Sequence, residues 1–325
     1  MTASKHLIAL LKSHIARDDD RFLSIAMQVA AHEARKGHGQ VAQQVRELVD
    51  QARSGKVERS RQPVPIAQPK GELASLVAVS FSETRLKSMA LTDELEQQLK
   101  RVIVEQRQQH KILERGLQPR RKLLLVGPPG SGKTMTASAL AGELHLPLFT
   151  VVFDTLITRF MGETASKLRV IFEAMTETRG VYFFDEFDAI GARRSERNDV
   201  GEIRRVLNSY LQFLEKDESD SLIIAATNHV ELLDPALFRR FDDVIQYNLP
   251  DKEVTLKILQ TRLVGFETGE IDWQVSAEMT AGLSQAEISR AADEAAKRAI
   301  LTDRTNITND DLSVSIQERR SATHK

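Results

Sequence analysis

The stretch that most limits what this chain can fold into is residues 122–134, KLLLVGPPGSGKT. Leu123 to Val126 is a short apolar run that reads as a buried strand. Gly127-Pro128-Pro129-Gly130-Ser131-Gly132-Lys133-Thr134 follows at once, and Met135 leads into a helix-compatible segment, MTASALAGEL. Strand, Gly-rich turn and helix in that order, carrying G-x-x-x-x-G-K-[ST], form a phosphate-binding loop in its proper context. The glycines let the backbone curl so that several N–H groups point at one phosphate, and the helix N-terminus attracts the same anion. Lys133 brings a point charge to the outer phosphates, and Thr134 offers a hydroxyl to Mg²⁺. The candidate nucleotide-binding residues are therefore Gly127, Pro129, Gly130, Ser131, Gly132, Lys133, Thr134 and Met135.

The pattern after this loop alternates. Residues 147–153 read as a second buried strand, 164–178 as a helix, and 180–186 as a third strand that ends on Asp185 and Glu186. Residues 200–216 place Ile203, Val206, Leu207, Tyr210, Leu211 and Leu214 on one helical face. Residues 222–227 and 244–247 read as further strands. Strands alternating with helices predict an α/β fold, a parallel sheet covered by helices on both faces. Ligands of such sheets bind at the carboxyl ends of the strands, where the Gly-rich loop, Asp185-Glu186 and Asn228 all fall. From residue 251 the strands stop, and 254–263, 272–279, 286–301 and 310–317 read as helices of a separate all-helical lid.

Upstream, residues 73–81 are apolar enough for a strand or packed extended segment. Thr92 is a candidate N-cap, followed by Leu95, Leu99, Val102, Ile103, Ile112 and Leu113 at helical spacing, with Gly116 and Pro119 ending the helix. Residues 1–53 carry apolar stripes at helical spacing and predict a small N-terminal helical domain, too small to stand alone and so expected to dock on something or oligomerise. Residues 54–71, rich in Pro, Gly, Lys and Arg, predict a flexible linker. The expected division is thus 1–53, linker 54–71, nucleotide domain 72–250 and lid 251–325.

Composition narrows the functional classes. The net charge of −1 provides no global basic field for nucleic acid. The absence of cysteine excludes disulfides and thiolate metal sites and suits a reducing, cytoplasmic setting. No apolar run approaches the roughly 18 residues of a membrane span, and no signal-peptide core opens the chain. His32 and His38 do not form a zinc site, because their spacing puts them on different helical faces and Gly37 intervenes.

The chemistry beyond the Gly-rich loop rests on a few side chains. Asp185 suits a second Mg²⁺ contact, and Glu186 suits a base that orients the attacking water. Asn228, at the end of IIAATN, can hold that water or touch the γ-phosphate.

Taken in order, GPPGSGKT, FFDEFDAI, AATN and LLDPALFRRFDDVI resemble the AAA family of ring-forming ATPases, in the branch that holds FtsH and spastin. The likeness runs from about Thr92 to Gln317 and implies a large α/β nucleotide domain with a small helical lid, ATP and Mg²⁺ as cofactors, and ATP hydrolysis. It implies that Arg239 and Arg240 are arginine fingers reaching the γ-phosphate of a neighbouring subunit, so a full site needs a homo-oligomer, an ATP-stabilised hexamer by analogy. The physics agrees, since an arginine cannot be neutralised and can stabilise a transferring phosphoryl group. Phe160-Met161-Gly162 matches the family's pore loop, which grips polypeptide, and residues 193–201 match a second one. In the lid, Leu283-Ser284-Gln285-Ala286-Glu287 matches a turn that approaches the nucleotide; Gln285 replaces the family's glycine, and Ala286 is carried over as a nucleotide contact. Adenine is expected against residues 90–92, although the family's usual entry motif is not found there.

The resemblance implies an ATP-driven protein remodeller or unfoldase that feeds or regulates a separate protease, as in compact bacterial relatives paired with a subtilisin-like serine protease. The resemblance to relatives built with a helical adaptor on a linker implies that residues 1–53 recruit a substrate or partner. The alternatives are a nucleotide-gated assembly switch and a DNA-associated ATPase, the latter disfavoured because no basic or winged-helix reader is present. A membrane metalloprotease is excluded by the lack of H-E-x-x-H and of a membrane span.

Overall fold

The computed structural model describes residues 71–152, 161–187, 200–233 and 235–323, with isolated positions 26, 27, 29, 30, 41, 43, 45, 49, 69 and 156. The chain divides into two compact units, Met1–Ile66 and Ala67–Lys325. In the first, the described positions are all helical, and Ala30 and Val49 are buried. The histidine pair and most of the expected linker lie outside the described residues. The nucleotide domain and lid, expected as separate domains, fall together in the second unit.

That unit begins with a helical turn, Leu73–Leu76, then β1 (Val77–Ser80) and α1 (Asp93–Arg107), which continues after a break as a short helix, Gln109–Leu113. Thr92 accepts the Leu95 N–H as the N-cap of α1, and Asp93, Glu94 and Glu96 complement the positive end of the helix. Next come β2 (Lys122–Val126), α2 (Lys133–Leu144), β3 (Leu148–Val151), α3 (Met161–Glu177), β4 (Val181–Phe184), α4 (Val200–Lys216), β5 (Leu222–Thr227) and β6 (Asp243–Gln246). The strands form one sheet in the order β1-β3-β4-β5-β2-β6. All neighbouring pairs are parallel except β1 with β3, which runs antiparallel with Val77 opposite Val151. Of the apolar run expected as one extended segment, the first half is therefore a helical turn and the second an antiparallel edge strand.

The central strands are buried on both faces, which explains their unbroken apolar sequences. Leu124, Val126, Tyr182, Phe184, Ile223 and Ala225 face a layer that includes Leu168, Ile171, Phe172 and Met175 of α3 and Tyr210 and Leu214 of α4. Leu123, Leu125, Val181, Phe183, Ile224 and Ala226 face the opposite layer, with Leu95, Leu99, Val102 and Ile103 of α1 and Ala137, Leu140 and Ala141 of α2. Leu113, expected inward, is exposed, because the break after Arg107 redirects the second helical segment. At the amino ends of the strands, Arg121 pairs with Asp217, and the Asp242 carboxylate accepts the N–H groups of Arg121 and Lys122 at 2.8 Å each.

The lid consists of α5 (Lys252–Arg262), α6 (Trp273–Met279), α7 (Gln285–Leu301) and α8 (Asn309–Thr323), which enclose their own core of Val254, Ile258, Leu259, Ile288, Leu312 and Ile316. Alanines at 291, 292, 295 and 299 line the buried face of α7 and let its neighbours approach closely. The Arg304–Asp311 ion pair and the Thr308 hydroxyl on Asp311 fix the entry to α8.

Candidate nucleotide site

The loop between β2 and α2 takes its shape from three glycines at positive φ, where residues with a side chain are rarely found: Gly127 at φ +152°, Gly130 at +73° and Gly132 at +100°. Two of them also lie where no side chain fits. A Cβ on Gly127 would stand 2.4 Å from the Tyr247 carbonyl oxygen, and one on Gly130 would stand 2.8 Å from Ser284 Oγ and 3.0 Å from Ala286 Cβ. The loop is thus clasped between the end of β6 and the N-terminus of α7. The Ala286 N–H donates to the Gly130 carbonyl at 3.0 Å, which joins lid to loop through the backbone. Ser284 and Glu287 form a capping box at the same helix end.

Gly132 is the N-cap of α2, and Lys133 is its first residue. The Lys133 ammonium is buried and donates to the carbonyls of Gly127 and Pro128 and to Asn228 Oδ1, at 2.7, 2.9 and 2.7 Å. An ammonium has three N–H donors, and leaving any of them unmet in a buried position would be costly. Asn228 at the end of β5 therefore sits beside Lys133, with its amide oxygen on the lysine. Thr134 Oγ1 donates to Asp185 Oδ2 at 2.9 Å, which brings the two candidate metal ligands together.

Asp185 and Glu186 lie in the turn just beyond β4. Glu186 adopts φ +51°, a left-handed conformation that an ordinary side chain enters at a cost of about 1–2 kcal/mol. Its N–H donates to Asp185 Oδ1 at 3.0 Å. That bond holds the bend, so the two consecutive acids do not simply continue the alternation of the strand. The residue types announced these acids; the backbone reversal at Glu186 had no sequence signal.

Two features of the site escaped the sequence. Met89 Cε and Gln285 Oε1 flank Gly132, at 3.8 and 3.4 Å from where its Cβ would be. Gln285, which replaces a glycine in the resembling turn, therefore lays its amide along the start of α2. Ala90 packs on the lid core while Leu91 belongs to the sheet core, so the segment where adenine was expected is the seam between the two. Ser131 Oγ is buried with no hydrogen-bond partner among the described residues. The loop's positive-φ glycines, that hydroxyl and the helix N-terminus fit the phosphates of a nucleotide, and the Thr134–Asp185 pair of oxygens would suit a Mg²⁺ held with it.

Several other expected residues are exposed or lie outside the described residues. Pro129 and Met135 are exposed at the loop. Arg239 and Arg240 are exposed after a short helix, Pro235–Phe238, and Arg240 pairs with Glu215. Phe160 and residues 193–199 lie outside the described residues. Met161 and Gly162 do not form a loop: they are the first residues of α3, because the helix starts earlier than the expected 164.

Comparison with known proteins decides the family. The profile of the ATPase family associated with various cellular activities matches residues 123–249. An uncharacterized AAA family ATPase, y4kL of Sinorhizobium fredii, is 31% identical over 316 residues, covering 97% of this chain and 95% of its own length. This chain belongs to the AAA family of ATPases. Proteasome-activating nucleotidases of Pyrococcus abyssi and Thermococcus kodakarensis are 39% and 38% identical over 213 and 211 residues, covering 63% and 62% of this chain. The chain spans only about half the length of those archaeal relatives, 54% and 53%. It is an ATP-hydrolysing AAA protein with a P-loop α/β fold. None of the helices among the described residues is long and apolar enough to cross a membrane.

Proposed function

We propose that the chain is a cytoplasmic, ring-forming ATPase that remodels or unfolds protein substrates. The observation that carries this reading is the convergence of Lys133, Asn228, Thr134, Asp185 and Glu186 at one edge of the sheet, with the two arginines on the surface, separate from that cluster. Lys133 and the loop N–H groups bind the phosphates, and Ala286, Gln285 and Met89 border the nucleoside end. Thr134 and Asp185 would hold Mg²⁺, which supplies charge neutralisation of the β- and γ-phosphates. Glu186 orients the attacking water and takes its proton, and Asn228 positions that water or the γ-phosphate once Lys133 turns to the nucleotide.

Arg239 and Arg240 act on a neighbouring subunit's ATP in a homo-oligomer, a hexamer by family analogy. Polypeptide is gripped at Phe160, Met161 and Gly162. The four-part division into N-terminal helices, linker, nucleotide domain and lid serves recruitment and coupling. Relatives named for activating a proteasome support a partner protease, which this chain does not itself contain among the motifs recognised.

The test is ATPase turnover with and without casein as an unfolded polypeptide probe, for the full chain and for Phe160→Ala. The reading expects casein to stimulate the wild type and not the variant, whose basal rate is retained. Indifference of both proteins to casein, together with normal turnover, would favour the nucleotide-gated assembly switch.

A further inference from the structure

The turn that carries Asp185 and Glu186 is bracketed by two phenylalanines, Phe184 at the end of β4 and Phe187 just after the acids, and both are fully buried. One side chain from another element meets both rings. Tyr210 of α4 lies 5.1 Å from Phe184 at 78° and 4.8 Å from Phe187 at 56°, between ring centroids, and 5.7 Å from Phe172 of α3 at 69°. Edge-on and tilted contacts at these distances are favourable arrangements of aromatic rings, and Tyr210 is itself fully buried. Its hydroxyl has no hydrogen-bond partner among the described residues, and burial keeps the phenol above its ordinary range. A buried hydroxyl without a partner costs stability, so what Tyr210 contributes here is the shape of its ring.

Between the two anchored phenylalanines, Glu186 holds φ +51°. A residue with a side chain disfavours that backbone about five- to thirtyfold against the right-handed one. The bond from the Glu186 N–H to Asp185 Oδ1 lies at the exposed side of the turn, where water competes for it; the aromatic contacts beneath it are dry. We propose that Tyr210 is a positioning residue for Glu186: its ring clamps Phe184 and Phe187 and so holds the strained turn that presents the Glu186 carboxylate. This rests on the reading of Glu186 as the base given above. Asp185 is tied separately to Thr134, and Lys133 to the loop. A looser clamp therefore lowers kcat and leaves the KM for ATP alone.

The experiment measures steady-state ATPase parameters and the urea midpoint of the full chain as wild type, Tyr210→Phe, Tyr210→Leu, Phe149→Leu and Glu186→Gln. Tyr210→Leu is expected to lower kcat about three- to thirtyfold, up to the full bias against the left-handed turn, with KM unchanged. Tyr210→Phe keeps the ring and drops only the unpartnered hydroxyl, so it holds kcat and raises the midpoint. Phe149→Leu controls for lost aromatic packing, because Phe149 is buried in the same hydrophobic layer and stacks on Tyr182 at 4.5 Å, on strands rather than at the acidic turn. It is expected to lower the midpoint and to leave kcat at the wild-type value. Equal kcat losses in Tyr210→Leu and Phe149→Leu would reduce Tyr210 to ordinary core packing and overturn the proposal, as would a loss in Tyr210→Phe as large as that in Tyr210→Leu. If Glu186→Gln abolishes turnover while Tyr210→Leu keeps full kcat, the base stands and the clamp fails. If Glu186→Gln itself hydrolyses normally, the base reading fails, and this proposal with it. Should Tyr210→Leu not fold, Phe187→Leu decides by the same split: the clamp requires a lower kcat at unchanged KM, and a wild-type kcat overturns it.

Discussion

Gly127→Ala probes why the loop can sit where it does. The new methyl would stand 2.4 Å from the Tyr247 carbonyl oxygen, 2.7 Å from Tyr247 Cβ and 3.0 Å from its carbonyl carbon. Those atoms cannot step aside cheaply. The Tyr247 N–H is bonded to the Val126 carbonyl at 2.6 Å, and its hydroxyl lies 2.6 Å from Thr136 Oγ1 in the buried interior. Overpacking of this kind costs about 1–3 kcal/mol, and a non-glycine residue at φ +152° adds about 1–3 kcal/mol. The sum is about 2–6 kcal/mol. Gly116→Ala is the control: φ is +71°, but no atom lies within 4 Å of the added Cβ, so only a backbone cost of about 1–2 kcal/mol applies. Urea unfolding followed by far-UV circular dichroism compares the two, with Trp273 fluorescence reporting the lid separately. Equal losses for Gly127→Ala and Gly116→Ala would refute the argument that close backbone approach, and not conformation alone, demands glycine at the first loop position.

Other perturbations separate site from scaffold. Glu186→Gln should bind ATP, measured with a fluorescent analogue, while hydrolysis falls at least a hundredfold, about the lower bound for losing a positioned general base; retained hydrolysis would remove Glu186 from its role. Tyr247→Phe should cost about 1 kcal/mol in chemical denaturation, because Thr136 Oγ1 keeps its bond to the Gly132 carbonyl at 3.1 Å; a loss of several kcal/mol would mean that the phenol supports more than this one contact. In the lid, the Arg304 guanidinium on Asp311 holds its carboxyl well below the usual range, helped by the Thr308 N–H and hydroxyl. A depressed folded-state pKa contributes stability that is present above the unfolded value of about 4 and is lost as pH falls beneath it. Asp311→Asn should therefore flatten the acid limb of lid stability read from Trp273, and an unchanged acid limb would show that other carboxylates control it.

Much of the site was legible because its chemistry is bound to local spacing. The Gly-rich loop, the paired acids and Asn228 each end an apolar strand, and a parallel sheet carries strand ends to one edge. What was not legible depends on distant packing. The contact of Lys133 with Asn228 joins residues 95 positions apart, and it exists because β2 and β5 are neighbours in register. The left-handed turn at Glu186 and the approach of Gln285 and Met89 to Gly132 likewise follow from tertiary placement. The edge strand β1 runs antiparallel to β3, and a four-residue segment, VAVS, does not state its direction. Met161 and Gly162 are expected in a loop from the family's pore-loop pattern, whereas they are the first residues of α3.

The central claim is that this ATPase completes its active site only by assembly. Mass photometry of Glu186→Gln with and without ATP and Mg²⁺, together with wild-type ATPase rate against protein concentration, tests it most directly. The account predicts an ATP-dependent shift to about six subunits, by the family analogy on which the trans-acting arginine rests, with specific activity rising as the protein concentrates. A monomer or dimer that hydrolyses ATP at constant specific activity across that range would contradict it.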